Sequence, residues 1–360
     1  MVLFIRFGGT PRSRVALLGL ALAMVVVFQC AGCQRRAPAS EPGQRPVWPP
    51  PPAAPRVEYI QTLRVPRDLG IRKNWLRRFF STLFRGRRSL AMVRPYAVAV
   101  TPDGKIAVTD PDSRCVHVYD EARSRYRRLE MAGGSRLVSP VGVAADGAGR
   151  LYVADSYRRS VFRFGPKGRF IDALATGDVE LLRPTGLAFD PGGERLYVVD
   201  TLAHAVFSFD TEGRLLSRFG KRGAGNGEFN FPVAVAVDRA GRVYVTDSMN
   251  FRVQILEADG TYVGAFGRAG DGPGDFDKAK GIAVDADGHV YVVDALHDVV
   301  HVYDTAGRLL TFLGGSGTSP GRFWLPTGIS IDRQGRILVV DSANRRVQIL
   351  RYLGDPGAGS

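Results

Sequence analysis

From residue 94 onward the chain alternates short apolar runs with turn residues and never settles into a helical period. The stretch "FPVAVAVDRAGRVYVTDSMNFRVQILEADGTYVGAFG" (231–267) holds four such runs, rich in Val, Ala, Tyr and Phe. "DRAG" and "EADG" separate them, and such Asp-x-x-Gly punctuation closes hairpins. The pattern predicts four short antiparallel strands in succession.

The same grammar recurs. "DSMNFRVQIL" begins at Asp247 and "DSANRRVQIL" at Asp341; weaker copies begin at Asp110, Asp155, Asp200 and Asp294. The steps between these aspartates are 45, 45, 47, 47 and 47 residues. Four strands in about 40–45 residues is the period of a propeller blade, and one blade cannot bury both of its faces alone. Six units therefore predict an all-β, six-bladed β-propeller of four-stranded antiparallel blades. An Asp that ends a strand before a turn can bond the turn's amides, and six symmetric copies cannot converge on one substrate. The aspartates read as architecture.

The motifs resemble the NHL-repeat family, of the bacterial lipoprotein type. The resemblance is carried by the Pro-x-Gly of "RPTGLAFD" and "LPTGISID", by "GRVYVTD", by "DSMNFRVQI" and by the closing "GRLLSRFG". It spans roughly 94–353, and it implies the fold far more than a function. The last unit is short, ending "RRVQILRYLGDPGAGS". Val57–Pro66, "VEYIQTLRVP", is β-rich and lacks a neighbour in sequence, so it is expected to supply the missing outer strand of blade six.

The remaining segments complete the organisation. Residues 1–33 read as a signal peptide: Arg6, Arg12 and Arg14, an apolar run from Val15 to Phe28, then "CAGC". That end resembles a bacterial lipobox with Cys33 as the lipidated residue; Cys30 departs from its usual Leu, so the alternative is ordinary cleavage near "APAS" and a secreted or periplasmic protein. Residues 34–56 read as a Pro-rich linker, 57–66 as the closing strand, 67–93 as a basic amphipathic helix segment, and 94–360 as the six repeats. In the helix segment Trp75, Leu76, Phe79, Phe80, Leu83 and Phe84 share one face, with basic residues elsewhere. A helix over 71–88 would dock on the propeller or lie on an anionic membrane.

Charge changes the picture only by its location. The net +14 comes from the leader and from 34–94, which holds 14 basic and 3 acidic residues; 95–360 holds 32 of each. A neutral ring argues against a nucleic-acid partner. Once the leader is removed at Cys33, Cys115 is the remaining free thiol, so no internal disulfide framework is expected.

Candidate chemistry is sparse. His204 and His297 follow a blade aspartate, and "VVDTLAHAVFSFD" resembles a segment of the peptidylglycine amidating lyases, NHL-type zinc enzymes. The resemblance implies further zinc histidines after the proline that opens an inner strand. Those positions here are Tyr96, Val141, Thr185, Val233, Lys280 and Thr327, none of them histidine. His204 and His297 are therefore weak metal candidates, and no cofactor is expected. His117 and His301 occupy the middle of third strands in non-adjacent blades, where a shared metal is not expected. The loops point elsewhere. One set of turns is short and uniform, whereas "KRGAGNGEFNFP", "RAGDGPGDFDKAK" and "GGSGTSPGRFWLP" vary, and variable loops on a rigid scaffold are where recognition resides. That face carries Tyr96, Arg158, Arg159, Lys280, Arg345 and Arg346 as candidate binding residues. The reading is an exported, lipid-anchored propeller, on an outer membrane facing the periplasm, that binds a protein or peptide. The competing class is a metal-dependent lyase or lactonase working in the central channel.

Overall fold

The computed structural model describes residues 45–50, 53–54, 56–71, 90–177, 179–190, 192 and 194–354. Cys33 and nearly all of the expected 71–88 helix lie outside the described residues. Among those described, no helix is long and apolar enough to cross a membrane.

Six four-stranded antiparallel blades follow in chain order. Blade one is Val98–Val100, Ile106–Asp110, Cys115–Asp120 and Arg125–Leu129; blade two is Pro140–Ala145, Leu151–Asp155, Ser160–Phe164 and Phe170–Ala173. Blade three is Pro184–Phe189, Arg195–Asp200, Ala205–Asp210 and Leu215–Phe219, and blade four is Pro232–Val237, Val243–Asp247, Arg252–Leu256 and Tyr262–Phe266. Blade five is Ala279–Val284, Val290–Asp294, Val299–Tyr303 and Leu309–Gly314. Blade six takes Pro326–Ile331, Arg336–Asp341 and Arg346–Tyr352 from the end of the chain and Val57–Leu63 from its beginning. The expected closing strand is thus present, ending at Leu63 because Pro66 opens a 3-10 turn. A fifth strand, Val47–Trp48, pairs outside it. This corrects the reading of 34–56 as linker throughout, because Trp48 is buried and its apolar ring needs a partner surface.

The hydrophobic pattern follows from blade stacking. Second strands such as Val243–Asp247 are buried at every position because both faces meet a neighbouring blade. Outer strands such as Tyr262–Phe266 alternate, with one face in water. The Pro-x-Gly motif has its own cause. A Cβ on Gly142, Gly186, Gly281 or Gly328 would lie 1.9, 2.6, 2.7 or 2.6 Å from backbone of the next blade's inner strand. At these four interfaces only glycine lets the inner strands approach this closely. Phe229, Phe276 and Phe323 are fully buried staples of the three long linkers. Each lies over a left-handed glycine, Gly220, Gly267 or Gly314, where a Cβ would collide with the ring.

The six aspartates are buried and structural. Asp155 accepts from Val138 N and Ser139 N of the incoming linker and from Arg158 N of the turn; Asp200 does the same with Leu182 N, Arg183 N and Ala203 N. Each carboxylate therefore ties a hairpin to the linker that enters its blade.

Candidate functional site

The inner strands run from the variable-loop face to the face of the short turns, so the channel has two unlike mouths. At the short-turn face it widens to a cavity of about 970 Å³, lined by the turns around Asp103, Asp146, Asp190, Asp238, Asp285 and Asp332. These acids are already engaged. Asp146, Asp238 and Asp332 each accept the side chain of an arginine four residues on, plus turn amides. His289 plays the arginine's part for Asp285. Loop reasoning missed this wider mouth, because uniform turns give no sign of how far apart they stand.

The opposite mouth is narrow, a cavity of about 80 Å³ lined by Tyr96, Val141, Thr185, Val233, Lys280 and Thr327. Burial pushes the Tyr96 hydroxyl up, against the nearby cations Arg183, Arg94 and Lys278. Burial and then Arg183 pull the Lys280 ammonium down. Among the described residues, none of Arg94, Arg183, Lys278 and Lys280 forms an ion pair; Lys278 Nζ instead lies 3.5 Å from Met249 Sδ. Lys280 in the narrow opening, with Arg94, Arg183 and Lys278 near it, makes an attractor for anionic groups.

Around this mouth runs an apolar arc. The residue two past the blade aspartate is Tyr157, Leu202, Met249 and Leu296 in blades two to five, and these four are between 41% and 74% exposed. Leu182 and Leu325, just before inner strands, extend it. Large exposed side chains thus recur at one column of four consecutive blades, a regularity that scattered surface hydrophobics lack. Column alignment of the repeats could have exposed the arc. Cues from charge and histidine hid it.

The predicted binding residues divide. Tyr96 and Lys280 line the mouth. Arg158, Arg159 and Arg345 are exposed on the turns; Arg158 donates to Arg136 O, and Arg159 pairs with Glu180 at 2.7 Å. Arg346 must be corrected. It is 1% exposed and donates to Asp341 and to the carbonyls of Thr318, Ser319 and Arg322, so it braces a linker and faces no solvent. Its hairpin register explains this, because Arg346 stands directly opposite Asp341.

The chemistry candidates settle as follows. His204 occupies the left-handed turn position, with Nδ1 3.1 Å from Phe229 O and 3.2 Å from Phe231 N, so it brackets the next linker. It belongs to none of the metal-competent groups among the described residues, and neither do the channel-mouth residues. Burial pushes the Cys115 thiol up to about 12, so it is a packed side chain rather than a nucleophile. His117 lies between Asp110, Cys115 and Tyr126, satisfied within blade one. His297 and His301 fall together, with ring centroids 6.3 Å apart.

Comparison with known proteins agrees with this architecture. The NHL repeat family matches residues 229–256 and 323–350, and a family described as a 6-bladed beta-propeller matches 191–242. The chain is a six-bladed β-propeller that carries NHL repeats. No curated protein is close enough in sequence to serve as a relative. Solved structures similar to this NHL propeller include virginiamycin B lyase from Staphylococcus aureus, at 13% identity, covering 72% of this chain and 96% of that one with a TM-score of 0.52. A gluconolactonase from Xanthomonas campestris is 17% identical, covering 72% and 86%, with a TM-score of 0.54. Hydrazine synthase from Kuenenia stuttgartiensis is 17% identical, covering 75% and 80%, with a TM-score of 0.54. Identities this low carry the fold alone.

Proposed function

We propose that this propeller is an exported, Cys33-anchored envelope protein that docks a protein or peptide on its variable-loop face. The partner carries an apolar segment that lies along Tyr157, Leu202, Met249 and Leu296, and a carboxylate that enters the mouth beside Lys280. The observation that carries the reading is this juxtaposition: exposed apolar residues on the face of four cations that lack acidic partners among the described residues. An aromatic anchor beside arginine and other cations is a composition of interaction hot spots. The basic leader, apolar run and "AGC" support the anchor.

Photocrosslinking in intact cells tests the docking. A photoreactive residue at Leu296 captures a discrete envelope partner, and Lys280→Glu with Arg183→Glu abolishes capture. Equal capture from Gln334, on the short-turn face, overturns the choice of face. A second reading has one observation behind it, namely that Lys280, a half-buried amine lining the narrow mouth, has its proton affinity lowered by desolvation and then by Arg183. Structural neighbours named as a lyase and a gluconolactonase use this fold, so the competing function is a lyase or lactonase in the channel. Lactone turnover by purified protein, lost in Lys280→Ala, would establish that reading.

A further inference from the structure

The aspartate pockets of blades four, five and six share a backbone and differ in what fills them. In blade four Asp247 is braced by Asn250, Arg252 and Gln254, whose side chains also reach the carbonyls of Gly223, Gly225 and Glu228 in the incoming linker. Blade six repeats this with Asn344, Arg346 and Gln348 around Asp341. In blade five the same three positions are His297, Val299 and His301. Every brace donor has been replaced, yet the aspartate remains.

The replacement leaves polar atoms facing one another. Asp294 still accepts from Asp277 N and Lys278 N of the linker. His297 Nδ1 lies 3.2 Å from Asp294 Oδ2, and its Nε2 lies 3.5 Å from Asp271 Oδ1. His301 is 5% exposed, and neither ring nitrogen has a hydrogen-bond partner among the described residues. Leaving such groups buried and unpaired costs about 1–3 kcal/mol each. Packing alone does not demand them, because Phe162 and Phe207 fill this position in blades two and three. One donor atom from each of Asp294, His297 and His301 lies within 4.8 Å of the others.

We propose that Asp294, His297 and His301 form a binding site for a divalent transition-metal ion, with zinc the best match to two imidazoles and a carboxylate. The ion takes the place of the Arg–Asn–Gln brace and pins the linker 268–278 to the third strand. Bonds of about 2.0–2.2 Å require the three donors to draw together, and three protein ligands leave one position of a tetrahedron open. Asp271, aligned with Ala224 and Thr318 in the other long linkers, stands on the solvent side of His297 and fills or orients that position. The site is walled off from the channel by the inner strand, so its role is structural. The other Asp–His group, Asp285 with Asp287 and His289, is the ordinary short turn with histidine in the arginine's place, and it serves as an internal control.

The test uses tag-free protein stripped with chelator and titrated with Co²⁺ and Zn²⁺. The expected results are one equivalent of Co²⁺ with visible d–d absorption, displacement by Zn²⁺, and a higher thermal midpoint when loaded. Asp271→Asn should weaken binding about tenfold. The triple variant His297→Asn, Val299→Arg, His301→Gln installs the blade-four brace; it should fold and show neither absorption nor a metal-dependent midpoint. His301→Phe should likewise fold and fail to bind. Absence of stoichiometric binding in the wild type overturns the proposal, and so does undiminished binding in the triple variant.

Discussion

Blades five and six solve one problem in opposite ways. Blade six is stitched from both ends of the chain, and its linker is held by a buried ion pair, Arg346 to Asp341 at 2.6 Å, with three carbonyls completing the guanidinium. Blade five is continuous in sequence, and its equivalent pocket holds two histidines, one with no partner for its nitrogens. The blade that needs most help in closing has the fully satisfied network. The blade that closes by itself has room for unusual chemistry. A repeat array spreads stability over interfaces between neighbours, so one unit can depart from the rule while the others maintain the ring.

The contrast can be broken most forcefully at the seam. Deleting Val57–Leu63 removes the two buried ends of the strand, Val57 and Leu63, worth about 3–6 kcal/mol of burial together. Against a typical ~5–15 kcal/mol, the thermal transition should broaden and fall sharply, as read by calorimetry; an unchanged midpoint would mean the seam does not hold the ring. Next in size is Arg346→Met, which leaves Asp341 buried without its cation and should cost about 3–5 kcal/mol in denaturant unfolding. Val299 already stands at the matching place in blade five, so Val299→Met should cost far less.

Blade one sharpens the comparison through pH. Burial would raise the Asp110 carboxyl, but donors from His117, Val93 N and Ser113 outweigh it and hold the group well below the usual carboxylate range. A depressed folded pKa contributes stability that is present above the unfolded value near 4 and lost as pH falls below it. Asp110→Asn should therefore be less stable at pH 7, with a midpoint that changes less between pH 4 and pH 2. Equal acid sensitivity in both proteins would remove Asp110 from the account. The smallest effect belongs to the turns. Arg159→Glu with Arg345→Glu alters exposed side chains and should change unfolding stability by no more than about 0.5 kcal/mol per site, while the proposed partner capture weakens.

Most of the fold was legible because the repeat states its own period and a propeller has few ways to satisfy it. The closing strand was legible because an orphan β-rich segment and a truncated last blade imply each other. Arg346 was misjudged because the stretch after the aspartate was read as an exposed turn. In a tight hairpin the residue five past Asp341 stands opposite it, inside the blade. His297 and His301 were kept apart for the same reason, one assigned to a loop and the other to a strand. The spacing Asp294-x-x-His297-x-x-x-His301, set against Asp-x-x-Asn-x-Arg-x-Gln, carries the signal. The apolar arc was hidden because its members come from four separate repeats and share a face only in the folded ring.

The close approach at Gly142, Gly186, Gly281 and Gly328 has a consequence for how such a molecule can change. With Ala97 and Ala234 at the two remaining positions, only glycine or alanine stands where each inner strand meets the next. A larger residue at a glycine position must push two blades apart. The bore behaves as a fixed gauge, and the two mouths behave as bowls set back to back across it. Each bowl is free to acquire a new occupant without retuning the other.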